Sequence, residues 1–398
     1  MNLSNGQTYL AIPGPSVIPE AVLRAMHRAS PNIYEGELVE LTHGLVPDLR
    51  SVAQTEGNVA LYIANGHGAW EAALANMACH GDRVLVTATG WFAHGWAKMA
   101  RAIGIQADIV EYGTQSTIDL NALETALHAH PNDYYKAVLV THVDTSTSVK
   151  NDIAAVRALL DDLGSHALLA VDCVASLGCD EFKMDAWGAD VMVAACQKGL
   201  MVPAGMAFVY FNDKAAERQK QLPYVSSYWE WGQRANPEIL AHYFCGTAPT
   251  HHLYGLRVAL DMIRAEGIEN IWSRHATLAK GIWAAVECWG AAGPMRMNIQ
   301  DSSLRSTAVT ALHMGIPHAK NLRNWTQHSA GLTLGIGLGM STPEDSKGDG
   351  FFRFGHMGHV NAQMILGMLS TVQAGLIAIN IPHGTGAIDA AAQVIAGA

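Results

Sequence analysis

A few side chains in this sequence have a type and a setting that suit chemistry. Lys198 follows the apolar run VMVAAC (191–196) and Gln197. Burial disfavours the charged amine. A lysine there either snorkels to the surface or waits with a lowered pKa as a nucleophile able to form a Schiff base. Asp172 ends the apolar part of LLAVDCVA (168–175). A carboxylate at such a point needs a cation or hydrogen-bond donors. It caps a helix, bonds within the core, or partners a protonated ring nitrogen. Gly66 and Gly68 in IANGHGAWEAAL (63–74) open a strand-to-helix turn. Uncrowded N–H groups at a helix start hold phosphate well, and Asn65 and His67 add side-chain donors. The P-loop lysine and the third glycine of a dinucleotide fingerprint are missing, so a plain turn is the alternative.

Three further stretches belong with these. TGWFAHGW (89–96) sets aromatics past another strand end, where one can stack on a flat ring. THVDTSTS (141–148) offers Thr145 and its neighbours as hydroxyl donors, or forms a simple turn. Arg353 lies in the apolar FFRFGHMG (351–358). Its planar fork suits a carboxylate, and a structural ion pair is the alternative. A lysine for an aldehyde and an acid that keeps a pyridinium charged are the two elements of a pyridoxal 5'-phosphate (PLP) site. Asp172 and Lys198 end successive expected strands, which could place them on either side of one small ring.

The elements that must position these residues alternate. Strands are expected at 59–64, 83–89, 107–112, 137–143, 168–175, 191–196 and 207–211. Helices are expected at 69–80, 96–104, 120–129 and 152–164. This alternation predicts an α/β fold with a mostly parallel sheet and helices on both faces, with ligands bound outside the carboxyl ends of the strands. Residues 253–289 read as two helices broken near Gly267, leading into a smaller domain with strand-like segments at 306–314, 334–340 and 351–358 and a helix near 361–375. The expected division is an N-terminal segment (1–20) beside the small domain, a large domain (21–270) and a small C-terminal domain (271–398). The first forty or so residues are expected to pack beside the small domain.

Composition narrows the partners. The chain has 398 residues, a net charge of −10 and no apolar run of membrane-span length. The acidic balance argues against nucleic acid or anionic lipid. MNLSNGQTYL shows no signal peptide. The six cysteines form no CxxC pair and read as reduced thiols of a cytoplasmic protein. The nineteen histidines lack metal-site spacing, so no metal is expected.

In combination, these motifs resemble class V aminotransferases of PLP fold type I, in particular the alanine–glyoxylate and serine–glyoxylate group. The likeness runs from the PGP turn (13–15) through NGHGAWE (65–71), TGWF (89–92), HVDTST (142–147), VDCVAS (171–176) and CQKG (196–199) to RFGHMG (353–358). It implies a large domain whose seven-stranded, mostly parallel sheet is sandwiched by helices, and a smaller C-terminal α+β domain. It implies PLP held by Lys198, with Asp172 on the pyridine nitrogen and Val174 and Phe92 on the two ring faces. Gly66, His67 and Gln197 are the implied phosphate ligands, and Asn65 and Thr145 hold the phosphate or ring-hydroxyl side. Arg353 takes the substrate carboxylate. A homodimer is implied, with Thr247 completing the neighbour's phosphate site. Phe244 stands three residues before it, where the family often has tyrosine, and Tyr243 is one residue off. Tyr34-Glu35-Gly36 lies where many glyoxylate aminotransferases carry a His-Arg pair near the substrate, which puts Tyr34 near the substrate here.

The implied reaction moves the amino group of serine, alanine or aspartate to glyoxylate by a ping-pong route through pyridoxamine phosphate. A pyridoxamine–pyruvate aminotransferase shares the RxGHMG ending and is a second reading. A PLP lyase of the same fold would need a mobile cysteine, for which Cys245 is the one candidate. A PLP-binding module without catalysis is a fourth reading, and a nicotinamide dehydrogenase lacks its fingerprint.

Overall fold

In the computed structural model, which describes residues 2–398, the apolar runs of the first half become strands of one sheet. The strands are β1 (Tyr9–Ala11), β2 (Asn58–Tyr62), β3 (Arg83–Ala88), β4 (Gln106–Glu111), β5 (Tyr135–Thr141), β6 (Val143–Asp144), β7 (Val149–Lys150), β8 (Leu168–Asp172), β9 (Val191–Ala195), β10 (Ala207–Phe211), β11 (Arg296–Met297), β12 (Val309–His313), β13 (Leu332–Ile336) and β14 (Phe351–Gly355). The large sheet has the order β2-β10-β9-β8-β5-β3-β4. Its β3–β4, β3–β5, β5–β8 and β8–β9 pairs are parallel, and β10 alone runs against its neighbours β2 and β9. The expected mostly parallel α/β sheet is borne out.

Both faces of this sheet are covered, which is why its strands read as unbroken apolar runs. Leu169, Val171, Met192, Ala194 and Phe208 point into one core. Their chain neighbours Ala170, Val191, Val193 and Val209 point into the other, following the two-residue period of a strand. The second core is closed by the helices Gly66–Met77 and Trp91–Ala102. Their inward positions are largely alanine (Ala69, Ala72, Ala73, Ala93, Ala97 and Ala100), which lets them lie close to the sheet and to each other.

The C-terminal part forms a five-stranded sheet in the order β1-β13-β14-β12-β11, antiparallel except where β1 joins β13. The helices Ile268–Ala291 and Ala362–Ala378 cover it. The first of these helices bridges the two bodies. Ile271 belongs to the larger core, and Leu278, Ile282 and Trp289 belong to the smaller.

Two expectations need correction. The first forty residues do not pack as one unit beside the small sheet. Only β1 joins it, while the helices Glu20–Met26 and Glu37–Ala53 lie on the helix Thr250–Glu266 of the larger body. The burial of Val22, Leu38, Leu45 and Leu49 in the large core accounts for this placement. The helices after β2 and β3 also start earlier than expected, at Gly66 rather than 69 and at Trp91 rather than 96. The first begins early because Asn65 caps it, the second because side chains from another loop do. Among the described residues, no helix is long and apolar enough to cross a membrane.

The parallel strands β3, β5, β8 and β9, together with β2, deliver their carboxyl ends to one edge, so the loops that leave them share a single ligand-binding margin. Phe208 is fully buried in the antiparallel strand that closes this arrangement. Phe208→Ala is expected to cost about 3–5 kcal/mol. It should appear as a clearly lower urea midpoint, and an unchanged midpoint would contradict the assigned core.

Candidate active site

A cavity of about 260 Å³ opens at this margin. The loop after β2 supplies Asn65, Gly66 and His67, and the loop after β3 supplies Phe92. Thr145 comes from beyond β5, Asp172 and Val174 from the end of β8, and Gln197 and Lys198 from beyond β9. The structure therefore brings nine of the expected residues to one wall. Trp70, Gly14, Pro15, Val143, Ala175 and Ala204 complete it.

Lys198 sits in the turn after β9. Ser16 ties this turn down, with its N–H donating to the Gln197 carbonyl (2.9 Å) and its hydroxyl to the Lys198 carbonyl (2.7 Å). The Lys198 amine donates to the Pro13 carbonyl in the N-terminal PGP turn. Gly14 is required there twice over. Its φ is +92°, and a Cβ would lie 2.6 Å from Lys198 Cδ and Cε. Lys198 is half-buried by exposure, and it lines the cavity. Burial, reinforced by the positive charge of Arg353 and opposed by Asp172, lowers its pKa to about 8. The amine is thus free base at only mildly alkaline pH.

Asp172 is 4% exposed. Burial raises its pKa to about 7, and two donors pull the other way. The Val174 N–H reaches one oxygen at 2.7 Å, and the Trp70 indole N–H reaches the other at 3.0 Å. Asp144 opposes ionisation and Lys198 favours it. Asp144 is itself fully buried, and burial raises its pKa. One of its oxygens accepts from the Phe92 N–H (2.9 Å), and Ser146, whose N–H and hydroxyl donate to the other, accepts from the Trp91 N–H (3.0 Å). Together they cap the helix Trp91–Ala102 from outside and fix Phe92 at the cavity. Gly90 makes room, because a Cβ there would lie 2.4 Å from the Asp144 carboxyl carbon.

The turn after β2 differs from a bare amide cradle. Asn65 Oδ1 accepts from the His67 and Gly68 N–H groups at 3.1 and 3.2 Å, so the cap itself holds two of the helix's free amides. Burial lowers the pKa of His67. The Gln197 amide lines the cavity with its oxygen buried and without a hydrogen-bond partner. An unpaired buried amide oxygen, an amine of lowered pKa and a donor-supported carboxylate around one cavity are features that fit PLP.

Arg353 is not part of the cavity wall. It is 6% exposed, and its Nε and Nη1 donate to the backbone carbonyls of Ile336 (2.7 Å) and Thr145 (2.8 Å). Burial lowers its pKa to about 10. The structural ion pair weighed from sequence is replaced by two backbone acceptors. Tyr34 is 88% exposed, and neither it nor the exposed Thr247 lines the cavity of its own chain. Cys245 is exposed and does not line the cavity either. Sequence reasoning assigned no role to Trp70 or to the Pro13 carbonyl. The signal for Trp70 was its position one helical turn after Gly66, which points it back toward the helix start.

Fold and site together define a PLP-dependent enzyme of fold type I. The chain belongs to the class-V aminotransferases, since the family model described as Aminotransferase class-V matches residues 8–322. It is an aminotransferase. It is 36% identical over 393 residues to a serine–glyoxylate aminotransferase of Arabidopsis thaliana, covering 98% of this chain and 95% of that one. It is 32% identical over 391 residues to an L-aspartate–glyoxylate aminotransferase of Paracoccus denitrificans, covering 97% and 96%. The solved pyridoxamine–pyruvate aminotransferase of Mesorhizobium loti shares its fold, with a TM-score of 0.87, 24% identity and full coverage of both chains.

The lowered Lys198 pKa predicts selective labelling. In apoprotein treated with acetic anhydride and mapped by mass spectrometry, acetylation of Lys198 should reach half its maximum near pH 8, against about 10.5 for an ordinary lysine. Arg353→Gln removes a charge that lowers this pKa, so the midpoint should rise. A wild-type midpoint near the ordinary value would contradict the assigned environment.

Proposed function

We propose that this chain transfers the amino group of a small amino acid (serine, alanine or aspartate) to glyoxylate, with Lys198 and Asp172 as its catalytic residues. The observation that carries the assignment is an amine whose pKa is lowered to about 8 and a carboxyl raised to about 7, placed at the ends of adjacent strands on one cavity. The names of the two glyoxylate-using relatives support the acceptor. They differ in the donor.

In this reading Gly66, His67 and Gln197 hold the cofactor phosphate, and Asn65 and Thr145 hold the phosphate or the ring-hydroxyl side. Val174 and Phe92 pack against the ring. When bound, PLP supplies a carbonyl that carries the amino group and a ring that accepts electrons. Lys198 Nζ takes the proton from the substrate Cα and returns a proton on the other half-reaction. Asp172 holds a proton on the ring nitrogen. Arg353, fixed through Nε and Nη1 outside the cavity wall, has no hydrogen bond on Nη2 among the described residues, and in this reading Nη2 takes the substrate carboxylate.

The finer assembly belongs to the same proposal. Thr247 completes the phosphate site of a partner subunit in a homodimer, and Tyr34, exposed on a single chain, reaches substrate across that interface. The six free cysteines suit a reducing cytoplasm.

The test is the visible spectrum of the purified, PLP-loaded protein. At least one of serine, alanine and aspartate should bleach the yellow band, and glyoxylate should restore it. Bleaching by pyridoxamine alone, with recovery on pyruvate alone, would overturn the substrate assignment. Lys198→Ala should lower kcat by on the order of 10²–10⁴-fold or more while leaving the circular-dichroism spectrum unchanged. Retained turnover would remove Lys198 from its role.

A further inference from the structure

Trp70 has no role in the reading above, yet it touches three of its parts. Its indole N–H donates to Asp172 Oδ2 at 3.0 Å. The His67 ring lies 4.6 Å away and the Phe92 ring 6.2 Å away, edge-on. Behind it, Trp96 stacks at 6.0 Å and 14°. The indole is 2% exposed, so these neighbours hold it in place. It also has an outside limit, because a Cβ on Gly95 would lie 3.1 Å from its ring.

We propose that Trp70 is a positioning residue that favours the anionic form of the Asp172 carboxylate, fixes its orientation at the cavity and ties it to the phosphate turn through His67 and to the ring-stacking wall through Phe92. Asp172 has few other means of staying charged. Among the described residues, its one other hydrogen-bond donor to a carboxylate oxygen is the Val174 N–H. Of the charged groups that face it, Asp144 disfavours the anion and Lys198 favours it. Its backbone carbonyl accepts from the His142 N–H, whose ring burial keeps neutral. Burial also holds the adjacent Cys173 thiol protonated. Losing one donor from a buried, ionised group costs more than losing it from a neutral one. The inference rests on the PLP assignment, because it concerns the acid that would face the ring nitrogen.

The test uses Trp70→Phe, which keeps an aromatic ring and removes the N–H. In apoprotein carrying ¹³C-carboxyl aspartate, the Asp172 signal is the one lost in Asp172→Asn. Its proton affinity should rise about tenfold in Trp70→Phe, moving the midpoint upward from about 7. An unmoved midpoint would overturn the proposal. The second readout compares the affinity of the apoprotein for PLP and for its carbocyclic analogue, a phosphorylated benzaldehyde with carbon in place of the ring nitrogen. Wild type should prefer PLP. Trp70→Phe should reduce that preference by about 10-fold or more while binding the analogue as wild type does. Equal weakening of both ligands would reduce Trp70 to a packing residue and overturn the proposal. If wild type itself showed no preference, the PLP assignment of Asp172 would fall, which is a separate result.

Discussion

One cavity in this protein must keep an amine neutral and a carboxyl charged. Burial pushes both groups toward neutrality. For Lys198 that push is useful, and the nearby Arg353 charge strengthens it. For Asp172 the same push is harmful, and the structure answers it with hydrogen bonds rather than with exposure. The two residues therefore have different surroundings within one pocket. The lysine meets a single carbonyl acceptor, at Pro13, while the aspartate meets two donors, from Val174 and Trp70.

This asymmetry explains much of the surrounding architecture. Parallel strands bring both residues to one edge, and the Ser16 contacts pin the turn that follows β9. The PGP turn closes over the lysine at a distance only glycine allows. Asp144 and Ser146 act as a cap from another loop, so that Phe92 arrives at the start of a helix rather than on a free loop. Arg353 comes from the smaller sheet and is fastened to the larger body through the Thr145 carbonyl. The smaller sheet thus adds, from outside the cavity wall, a charge that acts on Lys198.

The large sheet was legible because strands buried on both faces leave long apolar runs, as in AFVYF at 207–211, which is β10 to the residue. The residues just past those runs were legible for the same reason: a charge next to a buried strand has few uses. Other features left no such mark. Trp70 reads as one more apolar residue of a helix. The Pro13 carbonyl is a backbone group, and any residue carries one. Helix starts at Gly66 and Trp91 were displaced because caps, one of them far away in sequence, decided them. Tyr34 and Thr247 are exposed loop residues that do not line the cavity of their own chain, and no apolar run beside them fixes their place in the sheet. The N-terminal helices were misplaced because the helix they pack against, Thr250–Glu266, lies far away in sequence.

The central claim is that the buried amine at the end of β9 is the group that holds the cofactor. The most direct measurement loads the protein with PLP, reduces it with borohydride, and maps the phosphopyridoxyl group by peptide mass spectrometry. The label is predicted on Lys198 alone, at one group per chain. A label on another lysine, or spread over several, would contradict the account.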